Sequence, residues 1–232
     1  LSIKLCFFLA REKILLELLH KTTPPLALQN GVLSLLELGH IDLAEKLIPK
    51  NSSLLFALKA QREDPEKALK EFLATKEKNN ALLYYIGEVC LDKQKPKILL
   101  TTLSEKSPLF IKALLYTSSW KKAEKLFSNY SKEELQEEHT HIHTLYGCFL
   151  AHTEGKKAAM KHVSSTLESL FPPYPSLLGP YHLNKLSLQW QSQAFFFEKK
   201  ELYRQLSLYF HCLDNKKKKI EYLEKVNVKA SS

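Results

Sequence analysis

His139, His141 and His143 form the densest group of side chains able to bind a metal or carry a proton. On a helix, His139 and His143 would share one face a single turn apart, the spacing that metal-binding histidines use. The helical zinc motif also needs a glutamate directly after its first histidine, and Thr140 stands there. Glu138 reaches the same ion only with awkward geometry. A solvated or partly packed histidine stripe without a metal is the expectation. His162 and His211 stand in apolar surroundings, as packing histidines do. Cys148 or Cys212 could serve as a nucleophile only if exposed and close to an imidazole that a carboxylate orients. His211 adjoins Cys212, but adjacent residues of a helix point in different directions. No catalytic, cofactor-binding or metal-ligating residue is assigned.

Phosphate chemistry is equally poorly supplied. The six glycines, at 31, 39, 87, 147, 155 and 179, are too scattered for a Gly-rich loop, in which the backbone must approach the ligand closely. The net charge of +9 points to an anionic partner. Yet only Arg11, Arg62 and Arg204 carry the planar guanidinium that specific phosphate and base recognition favours; the other basic residues are lysines. The run Lys216 to Lys219 is read as surface cover at a helix start or turn, and no aromatic residues interleave with it as a base-stacking platform requires. Trp120, Trp190 and Phe195-Phe196-Phe197 could form an exposed aromatic binding patch. Core filling is the first choice for them, although three consecutive aromatics cannot all face one stripe of a helix.

These residues must be positioned by helices. Asp64 can cap a helix that Pro65 enters at its first turn, and Ala68, Leu69, Phe72 and Leu73 then share a face. Ser107-Pro108 repeats the start signal. Ser131 with Glu134 predicts a capping box, with Leu135, Ile142, Tyr146 and Phe149 as one stripe of a longer helix. Leu202, Leu206, Tyr209, Phe210 and Leu213 mark another. No period-two alternation of useful length appears, and Asn30-Gly31 runs into Leu-rich helical sequence rather than a hairpin. Two-thirds or more of the chain is expected to be helical.

A small residue followed four later by a large apolar one recurs after polar corners: Ala44 and Ile48, Ala68 and Phe72, Ala123 and Phe127, Ala159 and Val163. A small side chain lets antiparallel helices approach, and the bulky one fills the space beyond. This is the A-x3-F element of the tetratricopeptide repeat. The spacing is uneven, a degenerate unit around Tyr84 to Leu103 places Ile98 at the small position, and the terminal proline is mostly missing. The expectation is an all-α fold: a right-handed α-α superhelix, a degenerate TPR-like solenoid of antiparallel helix pairs. Residues 1–226 are read as a single domain with a possible break at 171–180, where Phe171-Pro172-Pro173-Tyr174-Pro175 stops a helix, and 227–232 as a frayed tail.

At 44% hydrophobic and 25% charged residues, the chain of 232 has the balance of a folded protein with a sizeable core. The apolar stretch Leu5 to Ala10 lies between Lys4 and Arg11, too short for a membrane span or signal core. Cys6, Cys90, Cys148 and Cys212 form no C-x-x-C and sit in apolar stretches, which favours buried free thiols and a reducing, cytoplasmic setting. With Leu1 first and Met160 the single methionine, the chain is expected to be part of a longer polypeptide.

Leu145-Tyr146-Gly147-Cys148-Phe149-Leu150-Ala151 and Leu208-Tyr209-Phe210-His211-Cys212-Leu213-Asp214-Asn215 are distinctive. With Ala123 to Tyr130 and the acidic run Glu133 to Glu138, they resemble the C-terminal end of the chlamydial serine/threonine-protein kinase PknD family, over roughly residues 113 to 215. The first hundred residues resemble it only in character, and the sequence departs after Asp214. The resemblance implies the distal part of a bacterial signalling kinase, with host proteins among its expected targets. No H-R-D, D-F-G or V-A-I-K occurs here, so a kinase domain, with its ATP and Mg, would lie upstream of Leu1. The expected function is a cytoplasmic, non-catalytic interaction scaffold without a membrane span, holding a protein or peptide ligand on a concave face. Nucleic acid on the basic surface is the alternative.

Overall fold

The computed structural model describes residues 25–37, 39–136, 141–167 and 196–227. They hold thirteen helices and, among the described residues, no strand. The segments 1–24, 137–140 and 168–195 and the tail from 228 lie outside the described residues. So do the expectations placed on Leu5 to Ala10, Cys6, Glu138, His139, Thr140, Trp190, Phe195 and the break at 171–180, and on the side chains of His141, Val163, Phe196, Phe197 and Leu202.

The helices up to Lys95 form one compact unit and those from Pro96 onward a second. The first unit holds α1 (Pro25–Glu37), α2 (Ile41–Leu47), α3 (Leu54–Arg62), α4 (Pro65–Ala74) and α5 (Asn80–Asp92). Its starts follow local chemistry. Asp64 accepts a hydrogen bond from the Glu66 backbone N–H with Pro65 at the first position, and Asn79 accepts from Leu82. Each such cap contributes about 1 kcal/mol. Ala68, Leu69 and Phe72 are buried as one face of α4, and Phe72 meets Phe56 edge to face at 5.9 Å. Full burial of a side chain of that size stabilises by about 2–3 kcal/mol. The end of α3 is closed from outside. The Lys93 ammonium donates to the carbonyls of Ala60, Gln61 and Glu63 at 2.8, 2.8 and 3.1 Å.

The second unit holds α6 (Lys97–Thr102), α7 (Pro108–Tyr116), α8 (Trp120–Phe127), α9 (Lys132–Gln136), α10 (His141–Thr153), α11 (Lys156–Leu167), α12 (Phe196–Cys212) and α13 (Lys216–Asn227). The Ser131–Glu134 box forms in both directions: Glu134 N–H donates to Ser131 Oγ at 3.1 Å, and Ser131 N–H to the Glu134 carboxylate at 2.7 Å. The stripe behind it is carried by two described helices, α9 and α10. Ile111, Leu114, Leu115, Ala123, Phe127, Leu145, Phe149, Ala159, Leu206 and Tyr209 build a common core.

One corner recurs in both units. At the ends of α1, α5, α7, α10 and α12, a backbone N–H returns to the carbonyl five residues earlier. The pairs are His40 to Leu35, Lys95 to Cys90, Ser119 to Leu114, Gly155 to Leu150 and Asn215 to Phe210, at 2.8 to 3.0 Å. This closure satisfies helix-end carbonyls and requires a residue at positive φ. Gly39 meets that need without steric cost, whereas Gln94, Ser118 and Asp214 adopt φ of 57°, 54° and 53° at about 1–2 kcal/mol each; at the end of α10 the positive φ falls on Gly155, the donor itself. In four helix pairs the next helix opens with the small residue's N–H on the corner carbonyl: Ala44 on His40, Ala68 on Asp64, Ala123 on Ser119 and Ala159 on Gly155. All four alanines are buried. In α13 the same bond is made by Lys219 to Asn215. At the start of α6, Ile98 and Leu99 are both buried, so a bulky residue fills the place the sequence assigned to a small one.

Candidate functional site

Three helix pairs of the second unit, α7–α8, α10–α11 and α12–α13, bring their corners to one end. Trp120, directly after the first corner, stacks face to face on His152 at the end of α10, with centroids 3.8 Å apart and planes at 13°. Its other neighbour is His211, 6.4 Å away at the end of α12. His211 Nε2 lies 3.1 Å from the Leu115 carbonyl and 3.4 Å from Ser118 Oγ, and its ring lies 5.6 Å from that of Tyr116. Nε2 therefore carries the hydrogen. Burial, with Lys219 nearby, holds the His211 pKa below the usual imidazole value. The site is a clasp of aromatic and imidazole rings joining three helix ends.

His143 and His162 are occupied in the same way. His143 is buried, with Nδ1 2.9 Å from the Leu135 carbonyl, and its ring lies 4.1 Å from that of His162. His162 in turn places Nε2 3.2 Å from the His143 carbonyl. Burial, and then the neighbouring His143, push the His162 pKa down to about 4. Among the described residues no group of three His, Cys, Asp or Glu side chains is placed to hold a metal ion. Burial pushes the thiols of Cys90 and Cys148 up to about 12, and that of Cys212 well above the ordinary range. A thiol in that state supplies almost no thiolate near neutral pH. His211 Nε2 is directed to the Leu115 carbonyl and to Ser118 Oγ rather than to a cysteine thiol.

The lysine run opens α13. Lys216, Lys217 and Lys218 are exposed, and Asn215 caps the helix by accepting from the Lys218 N–H at 3.1 Å. No aromatic residue interleaves with the run in the sequence, but rings from other helices meet it. Lys218 Nζ lies 4.8 Å from the Phe210 ring centroid and Lys219 Nζ 5.8 Å from that of Tyr116. Lys219 is half-buried, which lowers its pKa. Sequence reasoning missed His152, Tyr116 and Ser118 as partners. Their signal was an apolar residue nine before the small one, as in Leu114 and Ala123, which marks the corner that carries them.

Among the described residues no helix is long and apolar enough to cross a membrane. No protein-family model matches the chain, and no solved structure matches it. Two curated proteins do. The serine/threonine-protein kinase PknD of Protochlamydia amoebophila (strain UWE25) is 29% identical over 253 residues, covering 94% of this chain and 26% of that kinase. The PknD of Chlamydia pneumoniae is 34% identical over 105 residues, covering 45% of this chain and 11% of that kinase. The chain thus spans about a quarter of the length of the first relative. It is similar over nearly its whole extent to a segment of the first of these PknD kinases, and over somewhat less than half of it to a segment of the second.

Proposed function

We propose that this chain is a non-catalytic interaction module of a PknD-like serine/threonine kinase, stacking antiparallel helix pairs in the tetratricopeptide manner and holding a protein or peptide on the concave face that such a stack creates. The supporting observation is the recurrent helix start, in which a buried small residue donates its N–H to the carbonyl four residues earlier, in Ala44, Ala68, Ala123 and Ala159. Repetition of one packing unit builds a surface rather than a cleft, and surfaces of this kind recognise extended partners. The sequence contains none of the kinase motifs H-R-D, D-F-G or V-A-I-K, so phosphoryl transfer, with its ATP and Mg, belongs on this reading to a domain upstream. The setting is the bacterial cytoplasm, with buried free thiols as the supporting feature.

The test compares a parent kinase with a version lacking this segment. Autophosphorylation should survive the deletion, while phosphorylation of a protein substrate that the intact kinase captures should fall at least tenfold. The isolated segment should retain that substrate in a pull-down and hydrolyse no ATP. A segment that retains no partner of its parent, or that turns over ATP, refutes the reading.

A further inference from the structure

The two units carry their charge differently. Residues 25–95 hold ten acidic and ten basic side chains, and two of the five helices there carry an acid in the first turn, Asp42 in α2 and Glu66 in α4, while α1, α3 and α5 carry none. Asp42 pairs with Arg62 at 2.7 Å and Asp64 with Lys95 at 2.8 Å. In the second unit α8, α11 and α13 all start at the clasped end, and none has an acidic residue in its first turn. Lys121 and Lys122, Lys156 and Lys157, and Lys216 and Lys217 stand there instead, all exposed. A cation at the positive end of a helix is unfavourable to the fold. Three helices repeat that placement at one end, where the Trp120–His152 stack and the His211–Ser118 contact hold their corners side by side. Among the described residues Glu124, Glu154, Asp214 and Glu221 are acidic residues near these corners, the last acting on Lys217 and Lys218, and they are fewer than the lysines.

We propose that this lysine edge docks an acidic protein segment, a run of aspartate or glutamate laid across the three corners. This rests on the proposed scaffold function in taking the partner to be a protein. Neighbouring helices lie about 8–10 Å apart, so three corners span roughly 20 Å, and an extended chain covers that in about six residues. The edge suits carboxylates rather than bases. Its cations are lysines, which act as point charges without the planar fork that reads nucleic acid. Its rings are engaged within the clasp, Trp120 on His152 and Tyr116 beneath Lys219 and beside His211, which leaves no stacking platform.

The full chain is titrated with a fluorescein-labelled hexaglutamate peptide, followed by anisotropy at low salt. The double variants K121Q/K122Q, K156Q/K157Q and K216Q/K217Q should each weaken binding about fivefold, as expected for two exposed charge contacts. The six-site variant should weaken it at least thirtyfold, and K46Q/K50Q in the first unit less than twofold. Equal loss in the control and edge variants overturns the proposal, as does tighter binding of a 20-base-pair DNA duplex than of hexaglutamate. If hexaglutamate binding fails while the segment still retains its parent's partner, the scaffold reading stands and the edge assignment falls. If the lysine-dependent binding holds but partner capture is lost, the edge assignment stands and the scaffold reading falls.

Discussion

Ala123→Leu tests whether the small residue after the corner sets the approach of the helices. Ala123 is fully buried in the core of the second unit, and its N–H makes the first helical bond of α8 to the Ser119 carbonyl at 3.0 Å. That bond fixes the turn carrying the side chain, so leucine cannot escape by fraying. Its extra carbons must push α8 away from the helices packed on it, at a cost of about 1–3 kcal/mol. With a urea dependence of about 2 kcal/mol per molar, a cost of about 2 kcal/mol lowers the midpoint by about 1 M. Trp120 reports on this unit through its stack with His152, and Trp190→Phe gives a background in which it is the single indole. Urea titration by Trp120 fluorescence should show the lowered midpoint for Ala123→Leu and a shift under about 0.5 kcal/mol for the exposed neighbour Glu124→Leu. An unchanged or raised midpoint for Ala123→Leu would refute the claim that α8 is in close contact at this position.

Two further outcomes follow from single contacts. His162 stays neutral in the folded state because burial holds its pKa at about 4 against an ordinary 6.5. The unfolded chain therefore takes up the proton first, and the stability present above pH 6.5 is lost as the pH falls towards 4. The full interval corresponds to about 3 kcal/mol. Partial solvent access reduces it to about 1–2 kcal/mol, seen as a difference between wild type and His162→Gln in urea midpoints at pH 7.5 and 4.5. Lys93→Met removes the donor to three carbonyls at the end of α3 and should cost about 1–2 kcal/mol, measured by urea titration of the first unit's helical signal in circular dichroism.

Much of the helical organisation was legible because its signals are local. The Asp64 cap, the Ser131–Glu134 box and the buried stripe Ala68, Leu69 and Phe72 depend on residues within one or two turns, and each forms as its spacing predicts. The partners of the rings were not legible. His211 meets Leu115 and Ser118 from more than ninety positions away, and Lys219 covers Tyr116 across a similar gap. Nothing in the spacing of the lysine run announces an aromatic ring that another helix supplies. His143 shows the same limit. Its place in a histidine cluster predicted a solvated or partly packed stripe without naming a partner, and its ring is buried against His162 and bonded to a backbone carbonyl.

Lys219 ties the recurrent helix-start bond to the clasp. It occupies the place that Ala44, Ala68, Ala123 and Ala159 hold in the other pairs and makes the same backbone bond, to the Asn215 carbonyl at 3.0 Å. A lysine there would block close approach if its stem pointed into the pair. Instead the ammonium lies over the Tyr116 ring of α7, so the methylenes run across the contact and the charge ends on an aromatic face. Ser207 Oγ donates to the Lys219 carbonyl at 3.3 Å, which keeps α12 against this turn. The pair α12–α13 therefore keeps the shared corner while α13 presents its small-residue position to α7. The half-buried ammonium is held there with a lowered pKa, and burial favours the neutral amine in direction without removing the attraction to the ring. One substitution within a common unit thus converts a helix–helix packing position into a contact with the corner of another pair, and so helps gather three helix starts at one end.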